Sequence, residues 1–199
     1  MEQWTSLLLV KPFDEVWTAS LLTQGRINDE ESRGQTLLVR PGIGYNVSPE
    51  VQFTLGFDYF ATFNDGRSNE YRIWEQLGLD QSWGGLDMTH RVRIEQRFID
   101  GADGVALRSR YRIRGQGWID AERNWLLFAS NEVFFNMNQV EDGQTLGFGQ
   151  NRLQTGVGYR LAKGLRVEGG HQWTAFPDRN AQVILLTLRL DLSTLDSEE

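Results

Sequence analysis

From residue 88 to residue 117 the chain alternates with a period of two. Arg91, Arg93, Glu95 and Arg97 interleave with Val92, Ile94 and Phe98, and Arg108, Arg110, Arg112 and Arg114 then interleave with Leu107, Tyr111 and Ile113. Successive side chains of a strand point to opposite faces, so the pattern predicts two long strands with one apolar face and one face of guanidinium groups. The segment DGADG at residues 100–104 reads as the turn between them. Arginines this dense cannot sit unpaired in a dry core, so their face must meet water, carboxylates or both.

The alternation recurs along the whole chain. Candidate strands cover residues 4–10, 16–26, 36–47, 51–63, 70–81, 88–99, 105–115, 126–138, 149–160, 165–176 and 182–192. Most are longer than the roughly 5 to 6 residues usual in soluble sheets and close to the roughly 9 to 11 that cross a bilayer at a tilt. The connections carry turn chemistry, as at Ser48-Pro49, Asp65-Gly66, Lys163-Gly164 and residues 177–180. No helix, linker or domain break interrupts the series, and 199 residues suit one domain.

Composition narrows the function classes. A 40% apolar content excludes a disordered chain, and 21 glycines with 12% aromatics lean towards turn-rich β structure. There is no cysteine, so neither a disulfide framework nor a thiolate metal site is available. Two histidines and scattered carboxylates give no metal-ligand spacing, and no cofactor is expected. The net charge of −7 argues against a nucleic-acid partner. Only Lys11 and Lys163 are lysine among the 20 basic residues; arginine suits ion-pair ladders in confined space because it stays charged and pairs bidentately. No run of about 18 apolar residues forms a helical membrane span. Met1 followed by Glu2 and Trp4 reads as a mature sequence with a replacement start, its targeting segment removed.

Parity sorts the strands into two sets. The apolar set includes Trp17, Leu37, Phe53, Leu55, Val157, Trp173, Ile184, Leu186 and Leu188, with His171 among them. The polar set includes Gln24, Arg26, Arg40, Gln52, Asp58, Ser130 and the candidate lumen ladder: Glu70, Arg72, Arg91, Arg93, Glu95, Arg97, Arg108, Arg110, Arg112, Arg114, Glu132, Arg152, Glu168 and Arg189. A soluble lipocalin-like barrel binding an apolar ligand would turn the apolar set inward; an outer-membrane barrel would turn it outward. Three features favour the membrane. Some eleven long strands enclose a lumen too wide for a compact apolar core. Trp17, Tyr45, Tyr59, Trp83, Trp125, Tyr159 and Trp173 fall near strand ends, as an interfacial girdle would. The polar face uses arginine with Glu, Gln and Asn, which suits internal pairing.

Five successive blocks also resemble an uncharacterised family of bacterial outer-membrane β-barrel proteins that carries only a domain-of-unknown-function label. They are EYRIWEQL (residues 70–77), HRVRIEQRF (90–98), LRSRYRIR (107–114), SNEVFFN (130–136), and QNR (150–152) with GVGY (156–159). The resemblance implies an exported barrel in the bacterial outer membrane, with no established activity, ligand or catalytic residue. The expected fold is thus all-β: a single antiparallel up-and-down transmembrane barrel of about 10 to 12 strands over residues 1–192, with a polar tail at 193–199. Two features depart from the usual pattern. The last strand ends at Leu192 rather than at an aromatic residue. A count of eleven is odd where single-chain bacterial barrels are even, so ten or twelve is expected, with residues 4–10 the weakest strand. The expected partners are the lipid bilayer and the outer-membrane assembly machinery, and the expected state is monomeric.

If the C-terminus is periplasmic, the acidic connections face outside and those with Lys11 and Lys163 face the periplasm; protease added to intact cells then cuts near residues 29–34 or 141–145. Functionally, the arginine rows suit either a braced internal ladder or a narrow, anion-leaning solute or ion path. A lipid-modifying enzyme would need a nucleophile beside a histidine and a carboxylate, yet His171 falls on the apolar face and His90 at the start of a strand. Gly42, Gly44, Gly56, Gly156 and Gly158, on the polar face, are expected to leave room for long arginines or to curve the barrel. Glu75 breaks the parity, which suggests a bulge near Trp74 or a position at the membrane edge.

Overall fold

The computed structural model describes residues 1–28, 35–63, 67–140 and 146–194. Eleven strands follow one another: β1 (Glu2–Pro12), β2 (Trp17–Asn28), β3 (Gln35–Asn46), β4 (Val51–Phe63), β5 (Arg67–Trp83), β6 (Leu86–Ile99), β7 (Val105–Trp118), β8 (Trp125–Asn136), β9 (Gly147–Ala162), β10 (Leu165–Ala175) and β11 (Asn180–Asp191). Each pairs with its successor, and β1 pairs with β11 to close a barrel. The other regular element among the described residues is a single 3-10 turn, Leu192–Thr194.

The odd count stands, and the expectation of ten or twelve strands is corrected. Residues 4–10 lie within a full strand, whose Glu2–Val10 segment pairs with β11 and which pairs along its whole length with β2. The expected antiparallel up-and-down barrel is borne out in ten of the eleven strand pairs, and the closing pair is parallel. In a meander the strand direction alternates, so the first and last of eleven strands run the same way; closure between β1 and β11 is necessarily parallel.

Strand direction defines two rims. The C-terminal rim carries the connections at residues 13–16, 47–50, 84–85, 119–124 and 163–164. The N-terminal rim carries Met1, the connections at residues 100–104 and 176–179, and the facing ends of β2 and β3, of β4 and β5, and of β8 and β9. The connections containing Asp100, Asp103 and Asp178 therefore lie at the rim opposite Lys163 and the end of β1 that bears Lys11. The two expected protease sites, residues 29–34 and 141–145, lie outside the described residues, as do Asp65 and Gly66. The tightest hairpin joins β5 and β6 through Gly84 and Gly85, with φ of 57° and 94°. Positive φ at both central residues is what a two-residue turn matched to strand twist requires, and glycine adopts it without strain.

Parity is kept around the barrel, and it puts the apolar set outside. Leu55, Leu77, Val157 and Leu186 are each about half exposed, whereas Asp58, Glu95 and Gln172 on the other face are 0% exposed. The lipocalin-like alternative is overturned here, because the enclosed face is the charged one. Outward aromatics gather in two belts. At the C-terminal rim Trp17 meets Tyr45 at 5.1 Å and Trp125 meets Tyr159 at 4.7 Å between ring centroids. Towards the N-terminal rim Tyr59 stacks on Tyr71 at 5.3 Å and Phe135 meets Phe148 at 6.5 Å.

Glu75 sits in the middle of an unbroken register between β4 and β6, so no bulge lies near Trp74. Its carboxylate faces outward and accepts a hydrogen bond from Gln96 Nε2 at 3.1 Å. A second outward polar pair joins Asn131 and Asn151 through reciprocal amide bonds of 2.9 and 3.0 Å. The register shifts occur elsewhere, opposite Phe134/Phe135 in the β8–β9 pair and at Leu165/Arg166 in the β9–β10 pair.

Candidate functional site: the lumen

The barrel encloses an ion-pair network assembled from neighbouring strands. On β4, Asp58 accepts both Nε and Nη2 of Arg40 on β3 at 2.7 Å, and Trp74 Nε1 on β5 at 2.6 Å. On β5, Glu70 takes a two-pronged pair from Arg72 at 2.6 and 2.9 Å and a third bond from Arg97 on β6. Glu95 is the deepest hub. It receives Arg108 Nε at 2.8 Å and Arg110 Nη1 at 2.6 Å, with Arg93 Nη1 at 3.9 Å. Arg110 continues to Glu132 at 2.9 Å, which also binds Arg91. Nearer the C-terminal rim, Glu168 is shared by Arg166 at 2.6 Å and Arg114 at 3.1 Å.

The register explains why the carboxylates are needed. Arg72 stands opposite Arg97, Arg91 opposite Arg112, and Arg93 opposite Arg110. Like charges directly across a strand pair repel, and a buried guanidinium without a counter-charge costs several kcal/mol, on the order of 3–5. Glu70, Glu95 and Glu132 are wedged among these pairs and offset the repulsion.

Aromatic side chains at polar parity supply the rest of the packing. Trp4, Phe60, Trp74, Phe128 and Phe134 are all buried inside the barrel. Each carries a guanidinium over its ring: Arg26 on Trp4 at 4.1 Å, Arg72 on Phe60 at 3.8 Å, Arg93 on Trp74 at 3.8 Å, Arg114 on Phe128 at 4.1 Å and Arg110 on Phe134 at 4.4 Å. Arg152, for which no carboxylate is within ion-pair distance among the described residues, lies 4.6 Å from the Phe134 ring and 5.1 Å from that of Trp4. Such desolvated contacts contribute about 2 kcal/mol each.

Gly42 and Gly56 make room for the Trp74 ring and Gly156 for that of Phe128, whereas Gly44 faces the Gln52 side chain and Gly158 faces Arg166. The expected room for arginine is thus met at Gly158, and the other four serve rings or an amide. A Cβ on Gly56 would lie 2.1 Å from Trp74 Cζ2, so the indole is sandwiched between the β4 backbone and Arg93. A Cβ on Gly156 would lie 2.3 Å from the Gly169 carbonyl oxygen and 2.6 Å from Phe128 Cζ. Gly56→Ala is therefore expected to displace Trp74 from Asp58 and lower stability by about 1–3 kcal/mol, as overpacking does. Urea unfolding followed by tryptophan fluorescence checks this; an unchanged midpoint would refute the sandwich.

Space remains within the barrel. A cavity of about 400 Å³ lies in mid-lumen, bordered by Trp4, Trp74, Phe134, Arg91 and Arg152 among others. Another, of about 680 Å³, lies at the C-terminal rim between Asp80, Asp87, Trp118, Arg160, Arg166 and Asp191. Arg112, Arg114 and Arg189 line both, so the two spaces adjoin.

The catalytic alternatives find no assembled geometry among the described residues. His90 lies within β6 rather than at its start, faces outward and shares a 2.8 Å hydrogen bond with the Tyr111 hydroxyl. His171 also faces outward, away from Ser130, which donates to Gln154 inside the lumen at 3.1 Å. No cluster of three or more His, Asp or Glu residues is placed to hold a metal among the described residues.

The sequence matches, over residues 1–183, the pattern of a family described as "Protein of unknown function (DUF2490)". The chain belongs to this family. No curated protein matches it closely enough to add an activity. In this DUF2490 member the charged lumen is the one large internal concentration of chemistry among the described residues. The Arg40–Asp58–Trp74 cluster and the inward rings were not part of the ladder expected from sequence. Their parity was readable, since Trp74 lies between Arg72 and Gln76, and Phe134 between Glu132 and Asn136.

Proposed function

We propose that the chain is a membrane-spanning barrel of the bacterial outer membrane whose lumen is braced and largely filled, a structural barrel rather than an open pore. The observation that carries this reading is the outward apolar face, which runs round the barrel between two aromatic belts and is interrupted by the Glu75–Gln96 and Asn131–Asn151 pairs. Soluble monomers rarely expose contiguous apolar patches beyond a few hundred Å², whereas a bilayer takes up such a face and favours Trp and Tyr at its margins. Insertion by the outer-membrane assembly machinery and a monomeric state belong to the same proposal.

A second reading, a narrow anion-leaning path, draws on the guanidiniums lining both cavities. The packed layer of Trp4, Phe60 and Phe134 with Arg26, Arg72 and Arg152 favours the closed barrel over it. Refolded protein is expected to float with liposomes and to give no steady porin-sized steps in planar bilayers with a KCl gradient. Steady anion-selective steps would replace the closed reading with the path. Failure to float, with solubility in the absence of detergent, would overturn both.

A further inference from the structure

The vestibule at the C-terminal rim has a charge imbalance that the ladder does not resolve. Arg160 on β9, Arg166 on β10 and Arg189 on β11 are direct cross-strand partners, three like charges in one row. Of these, Arg166 has Glu168 at 2.6 Å and Arg160 lies over the Trp118 ring at 4.6 Å. Arg189 makes no hydrogen bond or ion pair among the described residues, and neither does Arg112 further in. The Nε atoms of Arg112 and Arg166 are buried without a protein partner. The counter-charges nearest Arg112 and Arg189 are shared: Arg112 stands opposite Glu132, which already binds Arg91 and Arg110, and Arg189 lies near Asp191 and near Glu168, which already binds Arg114 and Arg166. The acids of the vestibule are already engaged: Asp80 accepts the Thr89 hydroxyl at 2.6 Å, Asp87 that of Ser82 at 2.7 Å, and Asp191 that of Ser193 at 2.7 Å.

We propose that this vestibule binds an oxyanion of the phosphate class, held by Arg112 and Arg189 with Arg114 and Arg166 as further donors. The chemistry selects the class. Several guanidinium forks converge on one space, and each presents paired N–H donors. A single carboxylate offers two oxygens and one charge, which suits one fork; a phosphate group offers three or more oxygens and up to two charges, which suits several. A space of about 680 Å³ exceeds inorganic phosphate, so the group can belong to a larger phosphorylated solute. Such an anion would also relieve the repulsion along the Arg160–Arg166–Arg189 row. The inference requires the barrel but not its insertion in lipid, so its failure is separable from failure of the membrane reading.

The test uses the full chain refolded in a maltoside detergent, which carries no phosphate, titrated with inorganic phosphate against chloride at matched ionic strength. A saturable rise in Tm with phosphate alone is the expected result, with heat of binding by calorimetry. Arg112→Gln and Arg189→Gln are each expected to weaken the apparent Kd at least tenfold, while Arg179→Gln at the opposite rim leaves it unchanged. Circular dichroism and the Tm without phosphate establish that each variant folds; should either lumen variant fail to fold, Arg166→Lys provides the same reading, since it keeps the charge and removes the fork. An equal response to chloride, or a response that survives in both Arg112→Gln and Arg189→Gln, would overturn the site. Repeating the titration in phosphatidylcholine vesicles separates the sources: a response that persists identifies a soluble phosphate group, and one abolished by the vesicles but restored in maltoside identifies a lipid headgroup.

Discussion

Glu95→Gln is expected to destabilise the barrel by about 3–5 kcal/mol, the range for removing one partner of a buried ion pair. Glu95 is 0% exposed and receives Arg108 and Arg110 directly, with Arg93 beyond at 3.9 Å. Glutamine keeps the shape, so the loss measures charge. Without that charge Arg93 and Arg110, direct cross-strand partners, face each other with only Glu132 close to Arg110. Urea unfolding in detergent gives the magnitude. The double variant Glu95→Gln/Arg108→Gln should be less destabilised than the sum of the two single changes, because residues of one network couple. Additive losses would mean that the two side chains act independently and would refute the hub.

Leu186→Arg carries the second large effect, and its size depends on the solvent around the barrel. Leu186 lies mid-strand on β11, 48% exposed, between the outward Ile184 and Leu188. At the midplane of a bilayer an outward arginine costs about 2–4 kcal/mol. On a water-facing surface the same change falls within about ±0.5 kcal/mol. Equilibrium folding into phosphatidylcholine vesicles should show the larger loss. A near-neutral effect in vesicles would place this face outside the hydrocarbon.

Much of this architecture was legible because alternation is local. Arg91, Arg93 and Glu95 declare their face by sharing parity, and all eleven strands appear in the sequence as period-two runs. Closure was not legible, because the pairing of Glu2–Val10 with Val183–Asp191 joins the two ends of the chain. A general even-strand rule then outweighed a correct count. The lumen was partly legible. Acid and base could be assigned to one face, but which arginine meets which carboxylate depends on side chains crossing several strands, as Arg114 does to reach Glu168. The inward rings were obscured by neighbouring aromatics of opposite parity, as in Tyr59-Phe60 and Phe134-Phe135, where hydrophobicity alone does not tell the two faces apart. Glycine was informative in a way the sequence does not reveal: Gly56 answers to Trp74 on the neighbouring strand, a contact visible only once the register is known.

The chain has no cysteine, so single cysteines can be introduced along β11 at positions 183–190 and spin-labelled without background. The most direct measurement is the accessibility of each label to oxygen, which concentrates in lipid, and to a water-soluble nickel chelate, in protein refolded into vesicles. Labels replacing Ile184, Leu186, Leu188 and Leu190 should show high oxygen and low chelate accessibility, alternating with low oxygen accessibility at Val183, Leu185, Thr187 and Arg189. Chelate access along the even positions, or an alternation of opposite phase, would contradict a lipid-facing apolar band and with it the membrane-spanning barrel.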